Sequence, residues 1–238
     1  MLVRMRQGLG GLAIGIALML SGFPLLAGPW PRGAGEGFLS SEIVSDRAYG
    51  MGRIAHRHYL EYGLSDQTTI GAKLEQQTDW THGRGRTTSA LMKASLQGHL
   101  YWRRHGLVAP RIPYAVELQL GINESRFTDQ LRLAAHLGRE FEILERNAWA
   151  RLGGSLGIAG ALRDGSQDVS AQLGFALRAD SLAWAAYSVS RIEGTITRRV
   201  TVSGAHDLSE RFSLTLARSL TLGDWRERGW SLGLWTHF

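Results

Sequence analysis

The sequence predicts an all-β protein: a transmembrane, antiparallel, up-and-down β-barrel of about twelve strands, preceded by a cleavable signal peptide. Two observations lead to this prediction. Residues 228–238 alternate between a greasy face that ends on the terminal aromatic Phe238 and a more polar face. Residues 1–27 have the charge and hydropathy of an export signal. Transmembrane barrels of bacterial outer membranes combine both features, because the last strand pairs with the first to close the cylinder.

The N-terminal segment has the three parts of a Sec signal peptide. Arg4 and Arg6 supply positive charge, residues 9–20 form a short apolar stretch, and Ala27 stands at the expected cleavage site. A membrane anchor is the alternative, but the apolar stretch is short for a spanning helix of about 20 residues, and Pro24 interrupts its end. The expected domains are a signal peptide (1–27), a mature N-terminal segment (28–37) and the barrel (38–238).

The composition agrees with one exported barrel domain. The chain contains no cysteine, which excludes disulfides, thiolate metal sites and a lipid-anchored lipoprotein. Mean hydropathy is near neutral, as expected when alternate residues face lipid and lumen. The formal net charge of +6 is modest, and it fits anionic lipid headgroups, an anionic solute or no specific partner. No motif for nucleic acid binding is present, so nucleic acid is not an expected partner.

Twelve segments with two-residue periodicity follow one another from Phe38. The first two are weak: 38–44, and 53–64, where Leu60 and Tyr62 oppose Arg57 and Glu61. The next four alternate clearly between apolar and polar or charged residues. They are 68–77 (Ile70, Leu74 against Lys73, Glu75), 90–103 (Met92, Leu96 against Lys93, Gln97), 114–123 (Val116, Leu118 against Glu117, Gln119) and 130–138 (Leu131, Leu133 against Arg132, His136).

The second half of the chain alternates more strongly. After segment 148–162, the Asp-Gly dipeptide at 164–165 is expected to form a tight hairpin turn. The irregular parity of 182–192 predicts a bulge. The other segments are 169–178 (Val169, Leu173 against Ser170, Gln172), 195–206, 212–222 (Leu214, Leu216 against Ser213, Thr215) and 228–238.

The predicted connections fall into a short set and a longer, more charged set, as in a barrel with both chain ends on the periplasmic side. The short set is 65–66, 104–106, 179–180 and 207–210, and the long set is 45–52, 78–89, 124–129 and 223–227. Two connections, 140–146 and 164–165, have the wrong length for their set.

A soluble lipocalin-like barrel or a β-sandwich is the structural alternative. Fewer strands, about eight or ten, are expected if the weak first segments are not strands.

If the apolar face meets lipid, the polar face lines the lumen, and its first half carries charges of alternating sign. The lumen-lining candidates are Arg57, Glu61, Lys73, Glu75, Lys93, Glu117, Arg132, Arg151 and Arg199. Charges on neighbouring strands pair across a sheet. Two interpretations stay open: an internal ion-pair network that fills the barrel, which is favoured, or a pore lining that selects charged solutes. A barrel of this size lies between filled barrels and open porins.

The second half of the predicted lining is mainly Gly, Ser, Thr and Ala, with Trp235 and His237 as large exceptions near the periplasmic mouth. Small side chains leave space, so the sequence predicts one charged wall and one open wall. The lumen then has room for a slim solute or an inward-folded plug. Residues 28–37 are the candidate plug, and a disordered mature N-terminus is an equal alternative. Phe238 is the expected signal for the barrel-assembly machinery.

Two clusters of aromatic and basic residues fall in predicted external loops. They are Trp80, His82, Arg84 and Arg86 in one loop and Trp225 and Arg226 in another. Arginine beside aromatic residues suits an anionic or sugar ligand, and it equally suits the phosphates of lipopolysaccharide. The expected partners are therefore outer-membrane lipids and lipopolysaccharide, and a polysaccharide or small anionic solute. We expect a monomer.

No constellation for catalysis or metal binding is complete in the sequence. His56 and His58 share one face of a predicted strand, but no nearby Ser completes a lipase-like set. Histidines two residues apart without an adjacent carboxylate are also weak metal ligands. Aromatic-like positions at the membrane rim are the favoured role of this pair. We expect no enzyme activity, no cofactor and no metal, with an outer-membrane enzyme acting on lipid as the last alternative.

Three short motifs carry a family resemblance: W-P-R at 30–32, E-Y-G-L-S-D at 61–66 and the closing L-G-L-W-T-H-F. The sequence resembles the XagA-like group of exported barrel proteins, some of which are associated with exopolysaccharide production. The resemblance implies the outer membrane of a Gram-negative bacterium and transfers no site residue. The expected function is a narrow channel or a component of solute or surface-polysaccharide transport. A non-conducting structural or surface-interaction barrel is the first alternative.

Overall fold

The structure, a computed structural model, describes residues 30–48, 51–81, 93–123, 131–158, 165–192, 194–223 and 228–238. Twelve antiparallel strands form one closed barrel, in which sequence neighbours pair and β1 pairs with β12. The strands are β1 (Gly37–Ala48), β2 (Met51–Ser65), β3 (Thr68–Thr81), β4 (Lys93–Ala109), β5 (Ile112–Asn123), β6 (Leu131–Ile143), β7 (Arg146–Ile158), β8 (Gln167–Arg178), β9 (Ser181–Ile192), β10 (Thr195–Asp207), β11 (Phe212–Thr221) and β12 (Arg228–His237). The predicted up-and-down barrel is confirmed.

The two faces of the strands differ as the predicted parity requires. In β12, Trp230, Leu232 and Leu234 are exposed, whereas Trp235 is only 5% exposed. Elsewhere most outward positions are again apolar and exposed, while Glu61 and Glu117 point inward and are almost fully buried. An apolar outside around a charged inside is the pattern of a barrel in a membrane. The soluble lipocalin-like alternative, which needs an apolar interior, is wrong.

The two ends of the barrel carry different connections. One end, called the turn end below, holds residue 37, residue 238 and the connections 66–67, 110–111, 144–145, 179–180 and 208–211. The opposite end, called the loop end, holds the connections 49–50, 82–92, 124–130, 159–166, 193–194 and 222–227. The four longest connections, 82–92, 124–130, 159–166 and 222–227, all lie at the loop end, which matches the asymmetry of transmembrane barrels. Among the described residues, no helix is long and apolar enough to cross a membrane.

Three predicted turns were wrong. Residues 104–106 are not a turn, because β4 continues to Ala109, with His105 inward and hydrogen-bonded to Thr69 (Nε2 to Oγ1, 3.0 Å). The turn follows at 110–111, where Arg111 has a φ of 68°. Similarly, the connection predicted at 140–146 is only a two-residue turn at Leu144 and Glu145, because β6 continues to Ile143 and β7 begins at Arg146. The strands at this end are longer than the apolar pattern suggested.

The third wrong turn is the Asp-Gly pair at 164–165, of which Asp164 lies outside the described residues. Leu156 pairs with Gln167, and the Gly157 N–H donates to the Ser166 carbonyl oxygen (2.8 Å), so the β7–β8 connection is centred before this pair. Both exceptions to the short and long sets therefore disappear. The long connection predicted at 45–52 is wrong as well, because β1 continues to Ala48 and β2 begins at Met51. The bulge predicted within 182–192 is also wrong: β9 pairs with β10 without a break, and the register shift lies in β8, between Ala176 and Arg178.

The seam between β1 and β12 closes through the terminal residue. The Gly37 N–H donates to the Phe238 carbonyl oxygen (2.7 Å), and the Phe238 N–H donates back to the Gly37 carbonyl oxygen (3.1 Å). The Phe238 ring occupies the space that a Cβ on residue 37 would need, so glycine is required where the ring crosses the seam. Phe238 itself is 61% exposed on the outer face.

Candidate functional site

The lumen is the candidate site, and its centre is a buried ion network on β2, β4 and β5. Glu61 accepts hydrogen bonds from Arg103, from the Tyr59 hydroxyl and from the Tyr101 hydroxyl (3.1 Å). Arg103 Nε also donates to Glu117 Oε2 (2.7 Å). Arg103, Glu61 and Glu117 are each at most 2% exposed. The Arg103 guanidinium is thus held between two carboxylates, Glu61 on β2 and Glu117 on β5.

A cation on β3 completes this network. Lys73 Nζ donates to Glu117 Oε1 (3.1 Å) and lies over the Tyr101 ring, 5.0 Å from its centroid. Buried charges are tolerated only when paired and hydrogen-bonded, because desolvating an ion costs several kcal/mol. The network satisfies that requirement, and it fills the lumen beside β2–β5 in place of an apolar core.

A cavity of about 170 Å³, here called the basic chamber, opens beside the network. Four cationic side chains line it, Lys73, Arg103, Arg132 and Arg151, against the carboxylates of Glu117 and Asp168. Arg132 contacts Asp168 and donates to Ser166 Oγ (2.9 Å), and Arg151 Nη2 lies 3.1 Å from His136 Nδ1. The excess of guanidinium and ammonium groups makes this chamber suitable for an anion.

An aromatic layer crosses the lumen at the turn end. It consists of Phe38, Trp149, Leu182, Trp184, Ala205 and Trp235, all buried. Trp184 and Trp235 stack with centroids 5.7 Å apart, and Phe38 meets Trp235 edge to face at 5.9 Å. β1 and β7, which contribute Phe38 and Trp149, lie diametrically opposite in the strand order. The aromatic layer therefore reaches from one wall to the other.

A larger cavity, of about 280 Å³, lies beside β9–β12 and β1. We call it the hydroxyl chamber because six of its lining residues are Ser40, Thr201, Ser203, Thr215, Ser219 and Ser231. Trp184 and Trp235 also line it, as do two cations, Arg57 and Arg199, and two carboxylates, Glu42 and Asp46. Small hydroxyl-bearing residues leave open volume next to two indole rings and a balanced set of charged groups. The arrangement offers hydrogen-bonding groups and an apolar surface within one concave site.

The segment before β1 enters the turn end of the barrel. Trp30 packs against the aromatic layer. Arg32 Nε donates to Glu61 Oε2 (2.7 Å), and its guanidinium lies over the Phe38 ring at 4.4 Å. The backbone is also held, since the Gly35 N–H donates to the Gly63 carbonyl and the Gly63 N–H donates to the Glu36 carbonyl, both at 2.9 Å. Residues 30–36 thus contact both the aromatic layer and the ion network.

The remaining predicted lumen residues have the following positions. Arg57 Nε and Glu75 Oε2 form a half-exposed pair (2.6 Å) on β2 and β3, and Arg199 lies on β10 at the hydroxyl chamber. The side chains of Lys93 and Trp80 lie outside the described residues, although both backbones belong to strands. The other predicted loop candidates, His82, Arg84, Arg86, Trp225 and Arg226, also lie outside them.

Several residues of the site were missed by the sequence analysis. Arg103, Tyr59 and Tyr101 share the odd-numbered inward parity of their strands, and that parity was the available signal. Arg103 was overlooked because the predicted strand ended there. Asp168 was overlooked because its strand was predicted to begin at Val169, whereas β8 starts at Gln167.

The outward pair of histidines corrects one further prediction. His58 Nδ1 lies 3.0 Å from Ser41 Oγ on the neighbouring strand, so a serine does lie close to the imidazole. The carboxylates of the described strands all have inward parity, and none of them can orient this imidazole from the outer face. Within the described part of the chain, no group of three or more His, Asp or Glu could hold a metal ion.

Several solved outer-membrane barrels have a similar backbone. An outer membrane channel from Pseudomonas putida F1 aligns with a TM-score of 0.59 and 12% identity, covering 91% of this chain and 99% of that one. The KdgM porin aligns at 0.56 and 8%, covering 84% and 99%, and a NanC porin at 0.56 and 8%, covering 82% and 98%. At these identities the likeness is one of fold.

Neither a family model nor a curated protein matches the chain. The fold is thus that of outer-membrane channel barrels. The link to the XagA-like group stays a prediction.

Proposed function

We propose that the protein is an outer-membrane channel for slim, hydroxyl-rich solutes that carry negative charge, such as acidic oligosaccharides. The observation that carries the proposal is the hydroxyl chamber, in which two stacked indole rings adjoin six hydroxyl-bearing residues. The apolar face of a sugar ring packs on an aromatic face, and its hydroxyls exchange hydrogen bonds with Ser and Thr. The cationic side chains of the basic chamber then account for a preference for anions.

The location in this proposal is the outer membrane of a Gram-negative bacterium, with the turn end periplasmic. Its support is the apolar outer face, the export signal predicted in residues 1–27 and the fold of the similar structures. Insertion by the barrel-assembly machinery through the terminal Phe238, and a monomeric state, belong to the same proposal. A structure of the KdgM porin, again 8% identical, is described as a complex with disordered oligogalacturonate, which is an acidic sugar polymer. A role in surface-polysaccharide transport, suggested by the XagA-like resemblance, extends the proposal.

A non-conducting barrel is the second candidate, and the aromatic layer favours it because the layer reaches across the lumen. Single-channel recording of the purified protein in planar bilayers separates the two candidates. The channel proposal predicts discrete openings that an acidic oligosaccharide blocks at lower concentration than its uncharged counterpart. Absence of openings over a wide voltage range would contradict it and support the non-conducting barrel. Equal block by charged and uncharged sugars would remove the preference for anions.

A further inference from the structure

Outward-facing arginines are concentrated on four consecutive strands near the loop end. They are Arg191 on β9, Arg198 on β10, Arg218 on β11 and Arg228 on β12, and all are exposed. Each shares the parity of outward apolar residues in its own strand, such as Tyr187, Val202, Leu216 and Trp230. Each also lies within the four strand residues nearest the loop end. We call these four residues the arginine patch.

The strand register brings the members of the arginine patch together in two pairs. Arg191 stands opposite Ile196, and Arg198 opposite Val189, so the two arginines are diagonal neighbours. Arg218 stands opposite Trp230, and Arg228 opposite Leu220, which gives the same diagonal relation. Diagonal neighbours on one sheet face have Cα atoms about 7–8 Å apart, a spacing that lets two long side chains reach one phosphate group.

On β2–β8, no described outward side chain among the four strand residues nearest the loop end is Lys or Arg. Most of these residues are apolar, such as Ile54, Leu120, Leu133, Leu156 and Val169, and the others, such as Thr78 and Gln167, are uncharged. The carboxylates of the described strands all have inward parity, so none compensates the arginine patch from the outer face. Glu193, Asp224 and Glu227 fall in the adjoining connections, outside the described residues. One side of the barrel is therefore basic, whereas the described outward residues on the opposite side at this end are apolar or uncharged.

A lipid-facing arginine is costly in hydrocarbon but costs only about 0–1 kcal/mol near the membrane interface. Four of them on one side form a strong local positive field where phosphorylated headgroups lie. Guanidinium groups bind phosphate through two parallel hydrogen bonds. Trp230, directly opposite Arg218, is an aromatic residue of the kind that lies at membrane interfaces. The patch therefore matches a phosphorylated glycolipid, whose phosphates would reach the arginines while its acyl chains cover the flanking apolar surface. A soluble anion has no acyl chains and would leave that surface uncovered.

We infer that the arginine patch is a binding site for the phosphorylated lipid A portion of lipopolysaccharide in the outer leaflet. The inference rests on the outer-membrane location of the proposed function, and it does not require that the lumen conduct. It places the bound glycolipid against β9–β12, the strands that also form most of the hydroxyl chamber wall.

The test is a titration of the purified, detergent-solubilised protein with bisphosphorylated lipid A, monitored by tryptophan fluorescence. The test variant is R191Q/R198Q/R218Q/R228Q. The control is R104Q/R139Q/R146Q, which removes outward arginines near the turn end. We expect the test variant to bind lipid A at least about tenfold more weakly than wild type, with the control within about twofold. Equal affinity of the test variant and wild type, or an equal loss in the control, would overturn the inference.

A second measurement on the unchanged protein guards against a test variant that fails to fold. Lipid A from which both phosphates have been removed should bind wild type at least about tenfold more weakly. Inorganic phosphate at equal concentration should not displace bound lipid A. Undiminished binding of the dephosphorylated lipid, or displacement by free phosphate, would contradict the site. Bilayer recording is independent of this result, so a non-conducting protein that still binds lipid A would refute the channel and leave the site standing.

Discussion

Replacing Arg32 with Ala should release residues 30–36 from the barrel. In the structure this side chain makes one charge-assisted hydrogen bond to Glu61 and lies over the Phe38 ring. It is only 12% exposed, so solvent screens the pair weakly. The hydrogen bond contributes about 1.5–3 kcal/mol and the cation–π contact about 0.5–1 kcal/mol. A loss of about 3 kcal/mol raises the released population about a hundredfold.

Limited proteolysis measures that population directly. With proteinase K at concentrations where redocking outpaces cleavage, the rate of cutting within 30–36 follows the released fraction. Mass spectrometry of the resistant barrel should show this segment lost about a hundredfold faster from R32A than from wild type. R53A is the matched control, because Arg53 and Asp79 form an exposed ion pair (2.9 Å) near the loop end. An unchanged rate in R32A, or an equal acceleration in R53A, would refute the docking role of Arg32.

Three further predictions concern the ion network, the aromatic layer and the seam. E61Q should lower the free energy of unfolding in lipid vesicles by about 3–5 kcal/mol, since it leaves buried cations without their carboxylate. E75Q, in a half-exposed pair, should lower it by at most about 1 kcal/mol. Equal losses for the two variants in urea titrations would contradict the buried network. W184A/W235A should raise single-channel conductance without preventing insertion, and unchanged conductance would show that the layer does not limit flow. Deleting Phe238 should reduce the amount of assembled barrel in membranes, because the seam loses its hydrogen bonds to Gly37. The readout is the amount of heat-modifiable protein on gels. Normal assembly would exclude Phe238 as the assembly signal.

The strand faces could be predicted from the sequence, but the strand ends at the turn end could not. Alternation is a local property, and a membrane barrel displays it in every strand. Turns are recognised by residues that favour positive φ, chiefly Gly and Asn. The β6–β7 turn instead uses Leu144 and Glu145, at φ values of 50° and 63°. Their residue types carry no turn signal, so the polar run at 140–146 resembled a loop.

The contacts of the ion network could not be predicted, because they depend on register and on reach across a strand. Tyr101 on β4 contacts Glu61 on β2 although β3 lies between them. The intervening inward residue is Gly71, and a Cβ there would collide with the Tyr101 ring. The sequence showed a small residue at this position without indicating which side chain would occupy the space. Inward charge was therefore predictable and its pairing was not.

The same combination of large and small residues explains how the aromatic layer crosses the lumen. Trp149 on β7 lies over Gly174 on β8, where a Cβ would meet the indole. Any side chain at residue 174 would therefore displace this indole from the buried cluster that it forms with Leu182 and Trp184 of β9. Closure at the turn end thus depends on a glycine in one strand as much as on the tryptophans in others. The open hydroxyl chamber beside the layer results from the opposite choice, since apart from Arg199 the lining residues of β10 and β11 are small: Thr201, Ser203, Thr215, Ala217 and Ser219.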